Sequence, residues 1–446
     1  MGTAAQSDAL LGPSSVALFW LGLWGPPGGR SPGLRLLGAA FITAANVVIF
    51  VCSGVQMLVD TPADPALFRE AFFLCTCSCS WIFKVVSFML HRKRLQRMVL
   101  SLLDARTRFP DSRGGVRESY SRTAYTVWKL WMGVTVTVVL WMGDPLIQTL
   151  TSPPAENSTW PLIFWVPIDA QHSPAYEITY ALQALCIGAV GTTSILMTIF
   201  FITLILHAAS EITVLNENIA RMSLANSRDR EKEPEGDTSV QRVDSTTWEV
   251  SRLQATYVLS EAIPAPQVSS EYHGSLLVLD TDGKCCDLYS ALVKNIRHHQ
   301  HIITYMKDLQ VVASTSLYLM LLANALNVCL HSFGFVALFQ EGATRSTVIK
   351  EVLSFPSFLG QTALYCFFGQ VVIDQAERLQ FSAFSCDWPH ADEEFRRTLR
   401  IFMLQTARPL NVKVGKLVTL SRNTFLQALN ASYTIFNMLF NVEKRN

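Results

Sequence analysis

The chain has 446 residues, of which 50% are hydrophobic and 16% charged, and its 36 basic and 35 acidic side chains leave a formal net charge of +1. This near-neutral balance, with no basic run interleaved with aromatics, argues against a nucleic-acid partner. The mean hydropathy of +0.27 departs from that of a soluble protein of about three domains and points to a chain whose solvent is largely lipid.

The first apolar stretch, "SSVALFWLGLWGPPGG", lacks the basic n-region of a cleavable signal and runs into a Pro/Gly break. It is expected to dock as part of a cytoplasmic segment at 1–33. Seven stretches of about 20 or more mainly apolar residues come after it, near 34–59, 66–90, 126–150, 175–206, 309–339, 347–373 and 417–440. Each is long enough to cross ~30 Å of hydrocarbon at 1.5 Å rise per residue. The predicted fold class is an all-α membrane protein with seven transmembrane helices.

Charge sets the expected orientation. Arg92, Lys93, Arg94, Arg97, Arg106, Arg108, Arg113, Arg117 and Arg122 lie between the second and third spans, whereas 60–65 and 151–172 hold acids and no Lys or Arg. The positive-inside bias then predicts an intracellular N-terminus and an extracellular C-terminus. The sequon Asn157-Ser158-Thr159 falls on the predicted outer side, where Asn157 is a glycosylation acceptor. A second sequon, Asn430-Ala431-Ser432, lies in the last span, out of the transferase's reach.

Spans one to four with their connections occupy 34–206, and a long cytoplasmic loop 207–308. Within that loop 223–282, including "NSRDREKEPEGDTSVQR", is rich in charge and turn formers and is expected to be disordered. The fifth and sixth spans occupy 309–376, a cytoplasmic anchor segment 377–416, and the last span with a short tail 417–446. Two flanking stretches are amphipathic: Leu95, Met98, Val99, Leu102 and Leu103 share one helical face, and Phe395, Leu399 and Phe402 another. Such faces need an apolar partner, so the spans are expected to continue into the cytoplasm and pack there as a helical bundle.

Little else carries chemistry. Cys75, Cys77 and Cys79 stand two apart in a helix and face different directions, so they cannot chelate one metal. No cysteine pair is available in the outer loops, and no essential disulfide is expected. "HHQH" at 298–301 stands ahead of the fifth span with no cysteine or acid at ligand spacing, and reads as a solvated helix and not a zinc site. Asp374 and Glu377 read as bundle contacts. No P-loop, HExxH, GxSxG or GxGxxG is present, so no enzyme and no cofactor is expected.

The last span has one unusual feature. In "NASYTIFNMLFN" the residues Asn430, Thr434, Asn437 and Asn441 recur at steps of four, three and four, which is the spacing of one narrow helical face. An unpaired polar group in hydrocarbon costs several kcal/mol. That face must therefore meet water or protein, and two readings stay open from the residues alone: the wall of an ion path or polar contacts with neighbouring helices.

The C-terminal third resembles the insect odorant receptors. The resemblance is carried by "LYCFFGQVVIDQAERLQFSAFSCDWP", by Gln405, Arg408, Pro409 and Leu410 in a Gln-x-x-Arg-Pro-Leu turn, by Phe425, and by the closing Ser432-Tyr433-x-x-Phe436-x-x-Leu439. It is specific over about 85 residues and loose upstream, in "FWLGLW" and "NIRHHQHIITYMKDLQ". The resemblance implies a heptahelical, inside-out subunit of an odorant-gated, non-selective cation channel passing Na, K and Ca. It implies a heterotetramer with the shared co-receptor, in the cell membrane of olfactory sensory neuron dendrites. The co-receptor's ending lacks the Ser-Tyr pattern, so this chain resembles an odour-specific tuning subunit. In this family the last helix contributes to a central pore, which makes Asn430, Thr434, Asn437 and Asn441 candidate pore residues and Met438 the candidate apolar plug.

The resemblance also implies a pocket for a small volatile odorant among spans two, three, four and six. Their outer halves supply Phe72 and Phe73; Val138, Trp141 and Met142; Tyr176, Tyr180 and Gln183; and Phe355, Phe358 and Thr362. A mostly apolar cavity with few polar groups is what such a ligand needs. Asp144, beside Pro145, reads as an interfacial acid or as the counter-ion of an amine. Two other classes compete. A G-protein-coupled receptor would put its N-terminus outside and carry an Asp/Glu-Arg-Tyr triplet after its third span, which is absent. A gustatory-type receptor channel would close on Thr-Tyr and a later Gln, also absent.

Overall fold

The computed structural model describes residues 10–25, 32–59, 65–111, 114–123, 174–230, 284–341, 345–386 and 388–443, with scattered positions between 125 and 143. Helices dominate: α1 (Pro13–Trp20), α2 (Pro32–Val59), α3 (Pro65–Leu90), α4 (Arg92–Arg108), α5 (Ala175–Arg230), α6 (Lys284–Glu341), α7 (Arg345–Phe384), α8 (Glu393–Thr406) and α9 (Arg422–Glu443). A short antiparallel pair, β1 (Lys413–Val414) and β2 (Val418–Thr419), joins α8 to α9.

Among the described residues four helical stretches are long and apolar enough to cross a membrane: Leu37–Leu58, Phe68–Leu90, Ala175–Met222 and Leu288–Ser332. The sixth and seventh predicted spans form α7 and α9 but are not among the four. α9 carries Arg422, Asn423, Gln427, Asn430, Asn437 and Asn441, which dilute its apolarity. Only scattered positions of the third span are described, and all of them are helical. Along α2 the exposed side chains include Leu37, Phe41, Val48, Val51 and Leu58, an apolar stripe that suits lipid and would be a liability in water.

α5 is the interior post. Of its most apolar stretch 78% is buried within the subunit, against 33% for α2 and 39% for α3, so the other helices pack around it. Every residue from Leu196 to Ile212 is buried. Phe88 of α3 packs against Phe200 and Phe201 with ring centroids 5.3 and 6.2 Å apart.

α5 and α6 run to 56 and 58 residues. At 1.5 Å per residue that is roughly 85 Å each, almost three times the hydrocarbon thickness, so both helices continue far beyond it. Their extensions form a foot with α1, α4 and α8. The predicted faces are the ones buried: Leu95, Met98, Val99 and Leu102 on α4, with Leu103 half-buried, and Phe395, Leu399 and Phe402 on α8. The N-terminal segment docks here as expected. Leu10, Leu11, Leu18, Leu23 and Trp24 are buried, and Trp24 lies 5.1 Å from Phe200. Gly22, at φ 78°, takes the left-handed conformation that ends α1, and Leu23 N–H returns to the Leu18 carbonyl at 3.0 Å.

The foot corrects the reading of "HHQH". Because α6 begins at Lys284, His298 and His299 lie inside a packed helix and are 0% and 6% exposed. His298 donates from Nε2 to Glu211 Oε2 at 3.0 Å and stacks on Phe109 at 4.2 Å. Arg117 grips the same carboxylate with two bonds, from Nε at 3.0 Å and Nη2 at 2.8 Å. Arg106 donates to His207 Nδ1 at 3.3 Å, which leaves His207 Nε2–H to donate to the Leu10 carbonyl at 2.9 Å. Burial lowers the Arg106 guanidinium from its usual range, and nearby Glu211 pulls the other way. The acid partner is 87 residues from His298, so no local spacing could reveal it.

Two boundaries also differ from the sequence reading. α5 remains helical through Arg230, past the expected onset of disorder at 223; the rest of that segment lies outside the described residues. The last helix starts at Arg422 and not at 417. Gly415 and Lys416, at φ 60° and 62°, turn the chain into the β1–β2 hairpin, and Ser421 then caps α9 by accepting from Thr424 N–H at 3.2 Å. Gly415 N–H docks the hairpin on the Ser314 carbonyl of α6 at 3.1 Å. A Cβ at Gly415 would meet the Tyr318 ring at 2.6 Å.

Candidate functional site

On α9 the predicted stripe is a single face, and it points away from the bundle. Asn430, Thr434, Met438 and Asn441 are exposed and Asn437 is half-buried. At ~100° per residue, the predicted stripe extends inward through exposed Asn423 and Gln427, giving steps of four, three, four, three and four. These six polar residues fall in an arc of about 80°. Diametrically opposite are Phe425, Ala428 and Ser432, which meet α6 and α7. The Ser432 hydroxyl shares its hydrogen between the Ala325 carbonyl of α6 at 3.1 Å and its own Ala428 carbonyl at 2.9 Å. Phe425 packs on Phe367 of α7 at 6.0 Å. Among the described residues the stripe makes no side-chain hydrogen bond to another helix of this chain. Thr434 turns its hydrogen back to the Asn430 carbonyl at 2.8 Å, leaving oxygen lone pairs on the outward face. Asn423 and Gln427 escaped the sequence reading although the same four-and-three spacing, continued to the near side of Asn430, reaches both.

At its inner end α9 is fastened to α7. Gln370 accepts from Arg422 N–H at 3.3 Å and donates to Asp374 at 2.7 Å, and Arg422 lies 3.7 Å from Asp374. Asp374 is thus a contact between helices, as its sequence context implied.

The candidate pocket residues divide into three groups. Phe73 of α3 and Phe358 of α7 come together at 5.5 Å, edge to face. His331 of α6 completes the cluster, 5.0 Å from Phe73 and stacked on Phe358 at 5.7 Å. Tyr176 and Tyr180 contact each other on α5 at 6.1 Å, with Gln183 buried below them. Phe72 turns to Phe68 on its own helix at 6.0 Å, and Phe355 is half-buried on α7 one residue before Pro356, whose missing N–H interrupts the helix ladder. Val138, Trp141, Met142, Asp144 and Asn157 lie outside the described residues.

The sequence offers no pocket candidate on α6, yet α6 supplies His331, and below it Asn327 and Asn324. All three are buried, and their spacing of three and four residues marks one face of α6. Thr76 meets Asn327 Oδ1 at 2.9 Å. Thr362, a predicted pocket residue, is 6% exposed and accepts from Asn324 Nδ2 at 3.2 Å. A small niche of about 10 Å3 lies between α9, α6 and α7 at this level, with Asn324, Thr362 and Ser432 as its polar lining. Among the described residues no group of His, Cys, Asp and Glu could hold a metal ion, and the eight cysteines whose side chains are described are free thiols.

The chain is similar to Odorant receptor 85c of Drosophila melanogaster, at 28% identity over 148 residues that cover 33% of this chain and 37% of that one. It is also similar to the Odorant receptor coreceptor of Aedes aegypti, at 23% identity over 34% of this chain and 31% of that one. These matches span about a third of the relatives' length. The fold is shared much more widely: the olfactory receptor OR5 from Machilis hrabei, solved in complex with eugenol, superimposes with a TM-score of 0.74 over 99% of this chain and 100% of that chain, at 13% identity. The sequence profile of the seven-transmembrane odorant receptors covers residues 64–433, from just before α3 to the middle of α9, and with well over half its length matched the chain belongs to the 7tm odorant receptor family.

Proposed function

We propose that this chain is the odorant-binding subunit of an odorant-gated, non-selective cation channel, assembled as a heterotetramer with the shared co-receptor in the dendritic membrane of olfactory sensory neurons. The observation that carries the reading is the direction of the α9 stripe. α2 turns Leu37, Phe41 and Leu58 outward, as a lipid-facing helix should, whereas α9 exposes Leu426, Tyr433 and Ile435 beside a continuous outward row of Asn423, Gln427, Asn430, Thr434 and Asn441. Amides and a hydroxyl are costly against hydrocarbon, so the outward face of α9 calls for a wet partner. A polar seam repeating every 3.5 residues suits several such helices set around an axis. Uncharged oxygens can replace part of an ion's hydration without trapping it, which fits weak selectivity among Na, K and Ca. Met438, exposed at the edge of the stripe, would be the flexible apolar plug, and Asn441 the polar position one turn beyond.

The odorant would bind around Phe73 and Phe358, with the tyrosines and Gln183 of α5 and the third-span candidates Val138, Trp141 and Met142 completing a small apolar cavity. An odorant that fits better in the open arrangement shifts the gate by its difference in affinity for the two states, and by no more. The orientation expected from charge, with the N-terminus inside, the C-terminus outside and Asn157 glycosylated, belongs to the same reading. Currents recorded from cells expressing this chain with and without a co-receptor, across an odour panel, test it. The reading requires odour-evoked cation current that depends on both subunits. A panel spanning the major odour classes that evokes no current with both at the surface would refute it.

A further inference from the structure

Beneath the aromatic cluster runs a buried chain of side-chain hydrogen bonds that crosses four helices. The Lys84 ammonium of α3, 1% exposed, donates to Thr198 Oγ1 of α5 at 2.7 Å. Gln361 of α7 donates to the same oxygen at 2.9 Å and accepts from Asn324 of α6 at 3.1 Å. Asn324 gives its second hydrogen to Thr362 at 3.2 Å, and Thr362 donates to the Phe358 carbonyl at 3.1 Å. The chain therefore ends at the backbone of an aromatic of the candidate pocket. Next to Asn324, the Ala325 carbonyl accepts from Ser432 of α9 at 3.1 Å.

We propose that this relay, through Thr362, Asn324 and Ser432, sets the resting position of α9 and carries displacement from the Phe358 region to it. The proposal rests on reading α9 as the pore helix, and it makes these three positioning residues and not ligand contacts. Asn324 and Thr362 direct their hydrogens to Gln361, Thr362 and the Phe358 carbonyl, and Ser432 divides its one hydrogen between the Ala325 and Ala428 carbonyls. In surroundings without water, a member that moves must take its partners along or exchange them. The connection to α9 is different in kind. Asn324, Thr362 and Ser432 line a niche of about 10 Å3 between α9, α6 and α7, and the Ser432 bond to the Ala325 carbonyl is the polar link that spans it. Shifting α9 must break or replace it, which gives the helix two discrete arrangements, as a coupling element requires.

The test uses the full chain with and without the co-receptor, as Ser432→Ala, Asn324→Leu and the double variant. Hydrogen–deuterium exchange of α9 in the purified chain needs no odorant. Each single variant should speed exchange at 434–443 by roughly 5- to 150-fold, with α4 and α8 unchanged, and the double variant should exceed neither single. Unchanged exchange in α9, or single effects that multiply in the double variant, overturns the proposal. Ser432→Ala removes one oxygen and keeps the test open should Asn324→Leu fail to fold. In recordings, resting current should change in both variants with the order of odorant potencies preserved. A reordered ranking would make Asn324 a ligand contact and overturn the positioning role. An exchange effect in a wild-type background that carries no odour-evoked current would support the relay while refuting the channel reading.

Discussion

Glu211→Ala should be among the most damaging single changes in the foot. Its carboxylate is 3% exposed and holds two bonds from Arg117 and one from His298, whose side chains are 11% and 0% exposed. Removing it strands a buried guanidinium and a buried imidazole N–H, and breaking a buried pair from one side costs about 3–5 kcal/mol. Arg117→Ala should cost a similar amount, and the double variant clearly less than the sum, because each single change already destroys the shared bonds. Arg122→Ala is the control. Its pairing with Glu118 has side chains 79% and 65% exposed, and an exposed pair of this kind contributes less than about 1 kcal/mol. Denaturant titration of the chain in nanodiscs measures all four. A loss below about 1 kcal/mol for Glu211→Ala, or strict additivity with Arg117→Ala, would refute the account of the cluster.

Gly369→Ala on α7 would drive a Cβ into the carbonyl and side chain of Leu420, the residue that leads into α9. Overpacking of this kind costs about 1–3 kcal/mol, and the same titration should register it. Phe358→Ala removes the ring that meets both Phe73 and His331, and should reorder odorant potencies in a dose–response panel while leaving ion permeability unchanged. Met438→Ala should raise current in the absence of odorant, and Asn441→Ala should alter permeability ratios measured from reversal potentials with the odorant ranking kept.

Features set by periodicity and length are legible in the sequence. The apolar faces of α4 and α8 need only 3.6-residue spacing to be read, and the polar stripe of α9 only its four-and-three steps. The same rule applied to Asn324, Asn327 and His331 shows a polar face on α6; their apolar neighbours hide it. Three other features are not legible, because they depend on residues far apart in the chain. Glu211 and His298 meet only because α5 and α6 run side by side into the foot. Lys84 and Gln361 share Thr198 across 114 and 163 residues. The β1–β2 hairpin, which delays α9 to Arg422, depends on a left-handed Gly415-Lys416 turn seated against Tyr318. Two-residue strands are too short to leave an alternating pattern.

The central claim is that the outward face of α9 borders water in a shared conduit. Thr434→Cys, Asn437→Cys, Met438→Cys and Asn441→Cys, each expressed with the co-receptor and exposed to a membrane-impermeant thiol reagent during odorant application, measure this directly, with Ser432→Cys as the bundle-facing control. The account predicts that the four react and that reaction blocks current, while the control does not. Unmodified thiols at all four positions in an open channel would contradict it.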